Sequence, residues 1–395
     1  MKRTVRICCI VLCILLVAGG IGIWMLGKPK STRYFEGAAL KYYDALCAQG
    51  FPEDYAEELT ELHLLHPSWE FVPLQITDTN EQYTWNFVID AETEEADTNL
   101  IAPTNAYKDY RHKTNRKTYD SGYYQASRDA VEYFMDPRNF INETDIFQFF
   151  DLGAPSAPSL SSVEAVLRGT FMENKVLENG KTYAQNFVDI GQAVGINPVY
   201  LAVKVFQEQG AEGSSPLVTG DVGDVLWHFY QSRIEKTAEG AEVVLPLFAS
   251  RGELMQLNGY YNLMNVGASG KGVFAIYRNA AAYAQKGSEE MQAAWGGDPS
   301  WNTVWKSLWG GALLLKSDYI DRYQSTVYLQ KFNVDGRSGR NFWGQYMQNV
   351  AGALIEARSL YQSLAGVGAL DAPATFLIPV YRDMPRHVSA DPANG

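Results

Sequence analysis

The stretch from Ile7 to Leu26 contains no charged residue, and no fold that faces water on all sides accommodates such a run. At about 1.5 Å of rise per helical residue it spans the roughly 30 Å hydrocarbon core of a bilayer. Lys2, Arg3 and Arg6 precede it and Lys28, Lys30 and Arg33 follow it. The flanking charges are therefore only weakly asymmetric, and the expected orientation places the C-terminal side outside the cell. A cleaved signal peptide is the competing reading, given small residues at Ala18, Gly19 and Gly20. Continuation of the apolar run to Leu26 favours an uncleaved, single-pass anchor. No cysteine follows the run as lipid attachment would need. Residues 1–30 are expected to form a cytoplasmic start and transmembrane helix, with everything beyond extracellular at the cell membrane.

The remainder has room for two or three compact units in a chain of 395 residues, 46 % of them hydrophobic. A net charge of −12 argues against a nucleic-acid partner, which normally meets a basic surface. Cys8, Cys9 and Cys13 lie within the apolar run and Cys47 stands alone, so no disulfide framework is expected. His63, His66, His112, His228 and His387 are scattered without the spacing of a zinc site. Neither a metal nor another cofactor is expected. The 24 tyrosines and 9 tryptophans offer faces that stack on sugar rings, although core packing accounts for most such rings.

Residues 31–152 read as a small α+β accessory region. Its early helix, with Tyr42, Tyr43 and Leu46, gives way to a second that His66-Pro67 breaks. Alternation in Trp69, Phe71 and Leu74, and again in Trp85, Phe87 and Ile89, suggests short strands or extended packing segments. The acidic run Glu92 to Asp97 reads as a solvated loop. A further helix, Ala126 to Met135, stops at Asp136-Pro137. The stretch Gly153 to Ser162 reads as a short linker. A mainly α domain over 153–370 follows, with helices expected at Val163–Met172, Tyr183–Val194, Pro198–Gln209, Phe274–Gln285 and about Asn341–Leu364. Residues 371–395 are read as a tail that wraps or frays.

Asn197-Pro198 is a strong helix start and Gly210 a stop, which puts Glu208 in the last turn of one helix. It shares a face with Leu201 and Val205, the positions turned toward a core. Partial desolvation there would favour the protonated carboxyl. An ordinary glutamic acid, with a pKa of about 4.3, carries its proton in only about one molecule in five hundred at neutral pH. Glycosidic cleavage needs a donor that holds its proton near neutral pH, because the leaving oxygen must be protonated as an oxocarbenium-like centre forms. The competing reading is a surface ion pair between Glu208 and Lys204, four residues back.

Three ordered stretches carry a resemblance: NPVYLAVKVFQEQGAEGSSPLVTG (Asn197–Gly220), GYYNLMNVGASG (Gly259–Gly270) and YLQKFNV (Tyr328–Val334). With HPSWEFVPL and DPRNFINETDIFQFF upstream, the chain resembles the membrane-anchored endo-β-N-acetylglucosaminidases of Gram-positive bacteria, in glycoside hydrolase family 73. The resemblance implies a lysozyme-like catalytic domain with a small accessory lobe and with Glu208 as the catalytic acid. It also implies a peptidoglycan substrate, cut at the β-1,4 bond between N-acetylglucosamine and N-acetylmuramic acid. The family's aromatic-Asn motif maps onto Tyr260, Tyr261 and Asn262, expected to line the cleft, with Asn265 sharing that edge if the segment is helical. Core packing is the competing reading of Tyr260. A second carboxylate is not fixed by the motifs; Asp221 and Asp224, within a long insertion from Asp221 to Asn258, are candidates beside Glu212, Glu242 and Glu253. Substrate assistance by the N-acetyl group is the alternative to any of them. Muramidase or lytic transglycosylase action on the same glycan, or a wall-binding scaffold without turnover, are the rival functions.

Overall fold

The computed structural model describes residues 35–394, apart from 78–82, 95–97, 120–121, 154–159, 238–239, 248, 340, 346 and 367. The apolar run Ile7–Leu26 and most of the Gly153–Ser162 linker lie outside the described residues. No helix among the described residues is long and apolar enough to cross a membrane.

The fold is mainly helical, with three two-stranded sheets. Helix α1 (Gly37–Gln49) ends at Gly50 in a left-handed conformation, and α2 (Glu53–Leu65) stops at His66 as the following proline requires. Strand β1 (Trp69–Ile76) and helix α3 (Trp85–Glu94) follow, then the short pair β2 (Leu100–Ile101) and β3 (Tyr124–Gln125) and helix α4 (Arg128–Met135). Helices α5 (Leu160–Leu167), α6 (Tyr183–Val194) and α7 (Pro198–Gln209) pack on one another. Next come α8 (Pro216–Thr219), α9 (Val222–Ser232), the hairpin β4 (Ile234–Lys236) and β5 (Glu242–Val244), and α10 (Arg251–Met255). The chain continues through α11 (Val273–Lys286), α12 (Glu289–Trp295), α13 (Val304–Asp318), α14 (Val327–Phe332) and α15 (Gly352–Gly366) to the last strand, β6 (Ala374–Tyr381).

One hydrophobic core draws on residues from Leu46 to Tyr381, so the accessory region and the later helices share an interior. A smaller core formed by Leu217, Val222, Leu226, Leu254, Phe274 and others lies under the insertion.

The helix expected at Val163–Met172 runs instead over Leu160–Leu167, with Gly169 at φ 69° just beyond its end, and four further features differ from their expected form. Residues Trp85 to Ile89 form a helix, whose buried positions are Trp85, Val88, Ile89 and Glu92, a 3.6-residue repeat that includes a charge. Glu92 is not in a solvated loop: its carboxylate is fully buried and meets the buried ammonium of Lys331 at 2.8 Å. Gln345 Nε2 donates to the other carboxylate oxygen at 2.7 Å, and Lys331 also donates to Gln345 Oε1 at 2.7 Å and to the Thr98 carbonyl at 3.1 Å. Burial raises the Glu92 pKa and lowers that of Lys331, each opposed by the attraction of the partner. The helix expected from about Asn341 begins only at Gly352, because residues 341–345 and 347–350 turn irregularly, with Phe342 at φ 65°.

The fourth difference is the tail. Residues 374–381 form β6, which pairs in parallel with β1 from Trp69↔Ala374 to Ile76↔Tyr381. Parallel strands are stable where both faces are covered, and much of β6 is buried. The approach to the pair is latched: Trp69 Nε1 donates to the Leu370 carbonyl at 2.7 Å, and His66, stacked on Trp69, bonds Asp371 at 3.0 Å and Glu143 at 3.1 Å.

Candidate active site

Helix α7 places Glu208. Asn197 Oδ1 accepts from Val199 N at 3.0 Å, Pro198 occupies the first turn, and Gly210 closes the helix with its N–H on the Phe206 carbonyl at 2.8 Å. Every residue from Pro198 to Val205 is buried, whereas Phe206 to Gln209 are half-buried. The helix thus runs through the core and only its last turn reaches the surface. A helix that is apolar nearly all round needs such surroundings, and they hold Glu208 at the boundary between protein and solvent.

Two groups hold the carboxylate. Lys204 Nζ lies 3.1 Å from Oε1, and Asn265 Nδ2 donates to Oε2 at 2.9 Å. The i−4 ion pair weighed against a catalytic role is therefore present, but it is no loose surface pair. The lysine side chain is only 10 % exposed and the glutamate 25 %.

The segment Gly259–Ala268 forms the wall beside this helix end. Asn262 is fully buried and spends its amide on the chain: Nδ2 donates to the carbonyls of Val266 at 2.8 Å and Ala280 at 2.9 Å, while Oδ1 accepts from Val266 N at 2.9 Å. It braces the loop and does not face a ligand. The segment is a chain of tight turns rather than a helix, and Asn265 sits in it at φ 53°. A positive φ costs a residue with a side chain, but asparagine tolerates it better than most. That conformation directs the Asn265 amide back to Glu208.

Tyr261 is half-buried, its N–H donating to the Trp301 carbonyl at 2.9 Å. Its ring covers Gly220, where a Cβ would stand 2.9 Å from the ring carbons. Tyr260 is half-buried against the small cluster of Ala284, Met291 and Trp301, so part of its surface packs and part remains accessible.

Asp221 and Asp224 stand at the start of α9, close to this loop through Gly259 N, which donates to the Gly220 carbonyl at 2.8 Å. Both are exposed. Thr219 Oγ1 donates to Asp221, and Asn258 Nδ2 donates to Asp224 at 2.8 Å. Of the other insertion acids, Glu253 accepts from Ser250 N in a capping box, which lowers its pKa, and Glu242 is exposed on β5. Among the described residues no group of three or more His, Cys, Asp or Glu side chains is arranged to hold a metal ion.

Two residues were not anticipated. Gln209 Nε2 donates to the Leu263 carbonyl at 2.9 Å and to Asn265 Oδ1 at 3.0 Å, joining the helix end to the loop. Glu235, buried on β4, accepts from Phe274 N and holds the start of α11. Each lies far in sequence from its partner, and no local pattern marks it.

No family model matches the chain. Over 261 residues, 65 % of the chain, it is 24 % identical to the bifunctional autolysin of Staphylococcus epidermidis, and it spans only 15 % of the length of that relative. Among solved structures, that of S. aureus glucosaminidase B aligns over 82 % of this chain and 97 % of its own, at 18 % identity and a TM-score of 0.49. That of S. aureus autolysin E in complex with a muropeptide aligns over 76 % of this chain and 98 % of its own, at 16 % identity and a TM-score of 0.42. The chain is thus similar to an autolysin and to a glucosaminidase.

Proposed function

We propose that this protein is a glycoside hydrolase that cuts the glycan strands of peptidoglycan, with Glu208 as its general acid. The observation that carries the reading is the placing of Glu208, at the one turn of a buried helix that reaches solvent and bonded there to Asn265 of the aromatic-Asn segment. In the reaction the Glu208 carboxyl delivers a proton to the glycosidic oxygen. The bond from that oxygen to the anomeric carbon breaks, and water adds to the oxocarbenium-like centre. Tyr260 and Tyr261, half-buried beside the helix end, offer stacking faces to the sugar rings.

The finer reading is an endo-β-N-acetylglucosaminidase with a lysozyme-like catalytic domain over residues 153–370. The Asn197–Gly220 and Gly259–Gly270 motifs support it, as does the similarity to a bifunctional autolysin. Asp221 or Asp224 would assist from the start of α9, and the Ile7–Leu26 run would hold the enzyme at the outer face of the cell membrane.

The test is digestion of peptidoglycan by the full chain and by Glu208→Gln, followed by reduction and mass spectrometry of the new ends. Reduced N-acetylglucosamine ends made by wild type alone support the reading. Reduced muramic acid or anhydro ends would reassign the bond or the chemistry. Cleavage that survives Glu208→Gln would refute the acid assignment.

A further inference from the structure

We infer that Gln209 is a positioning residue for the reaction, acting through Asn265 to fix the direction in which the Glu208 carboxylate is held. The inference rests on the reading of Glu208 as the acid.

The direction of each amide follows from its neighbours. Gln209 Nε2 faces three oxygens, the carbonyls of Leu263 at 2.9 Å and Asn262 at 3.5 Å and Oδ1 of Asn265 at 3.0 Å. Turned the other way, the Gln209 amide would set its own oxygen against two backbone acceptors that have no proton to offer. The backbone therefore decides which end of Gln209 points into the loop. Its second N–H reaches Asn265 Oδ1, and this bond together with the two acceptor oxygens of Glu208 turns Asn265 Nδ2 toward Glu208. That nitrogen donates to Glu208 Oε2 at 2.9 Å and approaches the Glu208 carbonyl at 3.3 Å.

Two features mark this chain of bonds as built for more than packing. Gln209 Oε1 is buried without a hydrogen-bond partner among the described residues, which leaves its desolvation uncompensated. Asn265 is held at φ 53°, and such backbone strain concentrates at functional sites. Both costs serve one result, an N–H donor rather than an acceptor against Glu208. The other oxygen of Glu208 meets Lys204 at 3.1 Å, so the carboxylate is gripped from the helix on one side and from the loop on the other. Only the loop grip depends on Gln209.

The test compares Gln209→Glu, Gln209→Met and Asn265→Gly in the full chain, by steady-state kinetics on soluble glycan strands between pH 5 and pH 8. Gln209→Glu replaces the donor by an acceptor among three acceptors. Gln209→Met removes it at similar length, and Asn265→Gly removes the second amide while suiting the left-handed backbone. Each should lower kcat roughly tenfold to a hundredfold with KM within about twofold, the scale of a misplaced catalytic group. Protonation restores a donor to the introduced carboxyl. The ratio of Gln209→Glu to wild-type kcat should therefore rise as pH falls, while the ratio for Gln209→Met stays flat. A merely structural glutamine would show lost folded protein or raised KM with no such pH trend, and that result would overturn the proposal. So would kcat within about twofold of wild type in Gln209→Met and Asn265→Gly. Survival of cleavage in Glu208→Gln is the separate outcome that removes the acid assignment itself.

Discussion

Replacing Lys331 by methionine isolates the energetic weight of the buried ion pair that joins α3 to α14. In the native protein the Lys331 ammonium has three acceptors, Glu92 Oε1 at 2.8 Å, Gln345 Oε1 at 2.7 Å and the Thr98 carbonyl at 3.1 Å, and neither charged side chain reaches solvent. Methionine fills most of the volume but leaves Glu92 as an uncompensated buried charge with Gln345 as its remaining donor. Breaking one side of such a pair costs about 3–5 kcal/mol, equivalent to a fall of roughly 1 M or more in urea midpoint. The sign with pH is fixed by Glu92. Its folded-state pKa is raised by burial and rises further without the lysine. The folded state therefore takes up the proton more readily than the unfolded chain, and stability is lost as pH rises through the folded value. The penalty of Lys331→Met should be larger at pH 7 than at pH 5. Urea unfolding of the full chain at both pH values, with Glu92→Gln/Lys331→Met as the paired variant, measures it. A cost under about 1 kcal/mol, no change with pH, or no recovery in the double variant would refute the reasoning.

Gly220→Ala, at φ 77° and with its Cβ 2.9 Å from the Tyr261 ring, should displace the tyrosine and cost about 1–3 kcal/mol; a raised KM with little change in kcat is the expected kinetic sign. Glu235→Ala should loosen the start of α11 by about 1–2 kcal/mol by leaving the Phe274 N–H without its acceptor, read as earlier hydrogen exchange at residues 273–276. Tyr328→Phe removes the hydroxyl that donates to the Met135 carbonyl at 2.7 Å and meets the Tyr381 hydroxyl at 2.5 Å. A loss of about 1–3 kcal/mol in urea unfolding is expected, and an unchanged midpoint would contradict it.

What could be read along the sequence was what is local. Asn197-Pro198 and Gly210 bound α7 where they were expected to, because a cap, a proline and a glycine act within one turn. The same is true of α2, ended by His66-Pro67. Helix α3 was hidden because its fourth inward position is Glu92, and a carboxylate looks outward until its partner is known. That partner, Lys331, lies 239 positions away. Strand β6 was hidden for a related reason, since parallel pairing leaves no turn to mark it. The place of Glu208 in the last turn of its helix was legible from the cap and the stop. Asn265, 57 positions on, was given to the substrate on the condition of a helical segment, whereas the segment is a chain of turns and its amide bonds Glu208. Asn262 was read as a sugar ligand and is a fully buried brace. Nothing short of the folded loop separates these two asparagines.

The pairing of β1 with β6 also sets a timetable. His66 and Asp371, which meet beside that pair, are 305 positions apart, so a chain growing from its N-terminus carries β1 with an open edge through most of its synthesis. Contacts of such long range form late and slowly, and an unpaired strand edge is a site for wrong partners in the meantime. The Trp69 indole waits equally long for the Leu370 carbonyl. The helices around Glu208 therefore come to rest on a finished core only after residues 374–381 have arrived, and a nascent chain short of them carries Glu208 without the core that frames its helix.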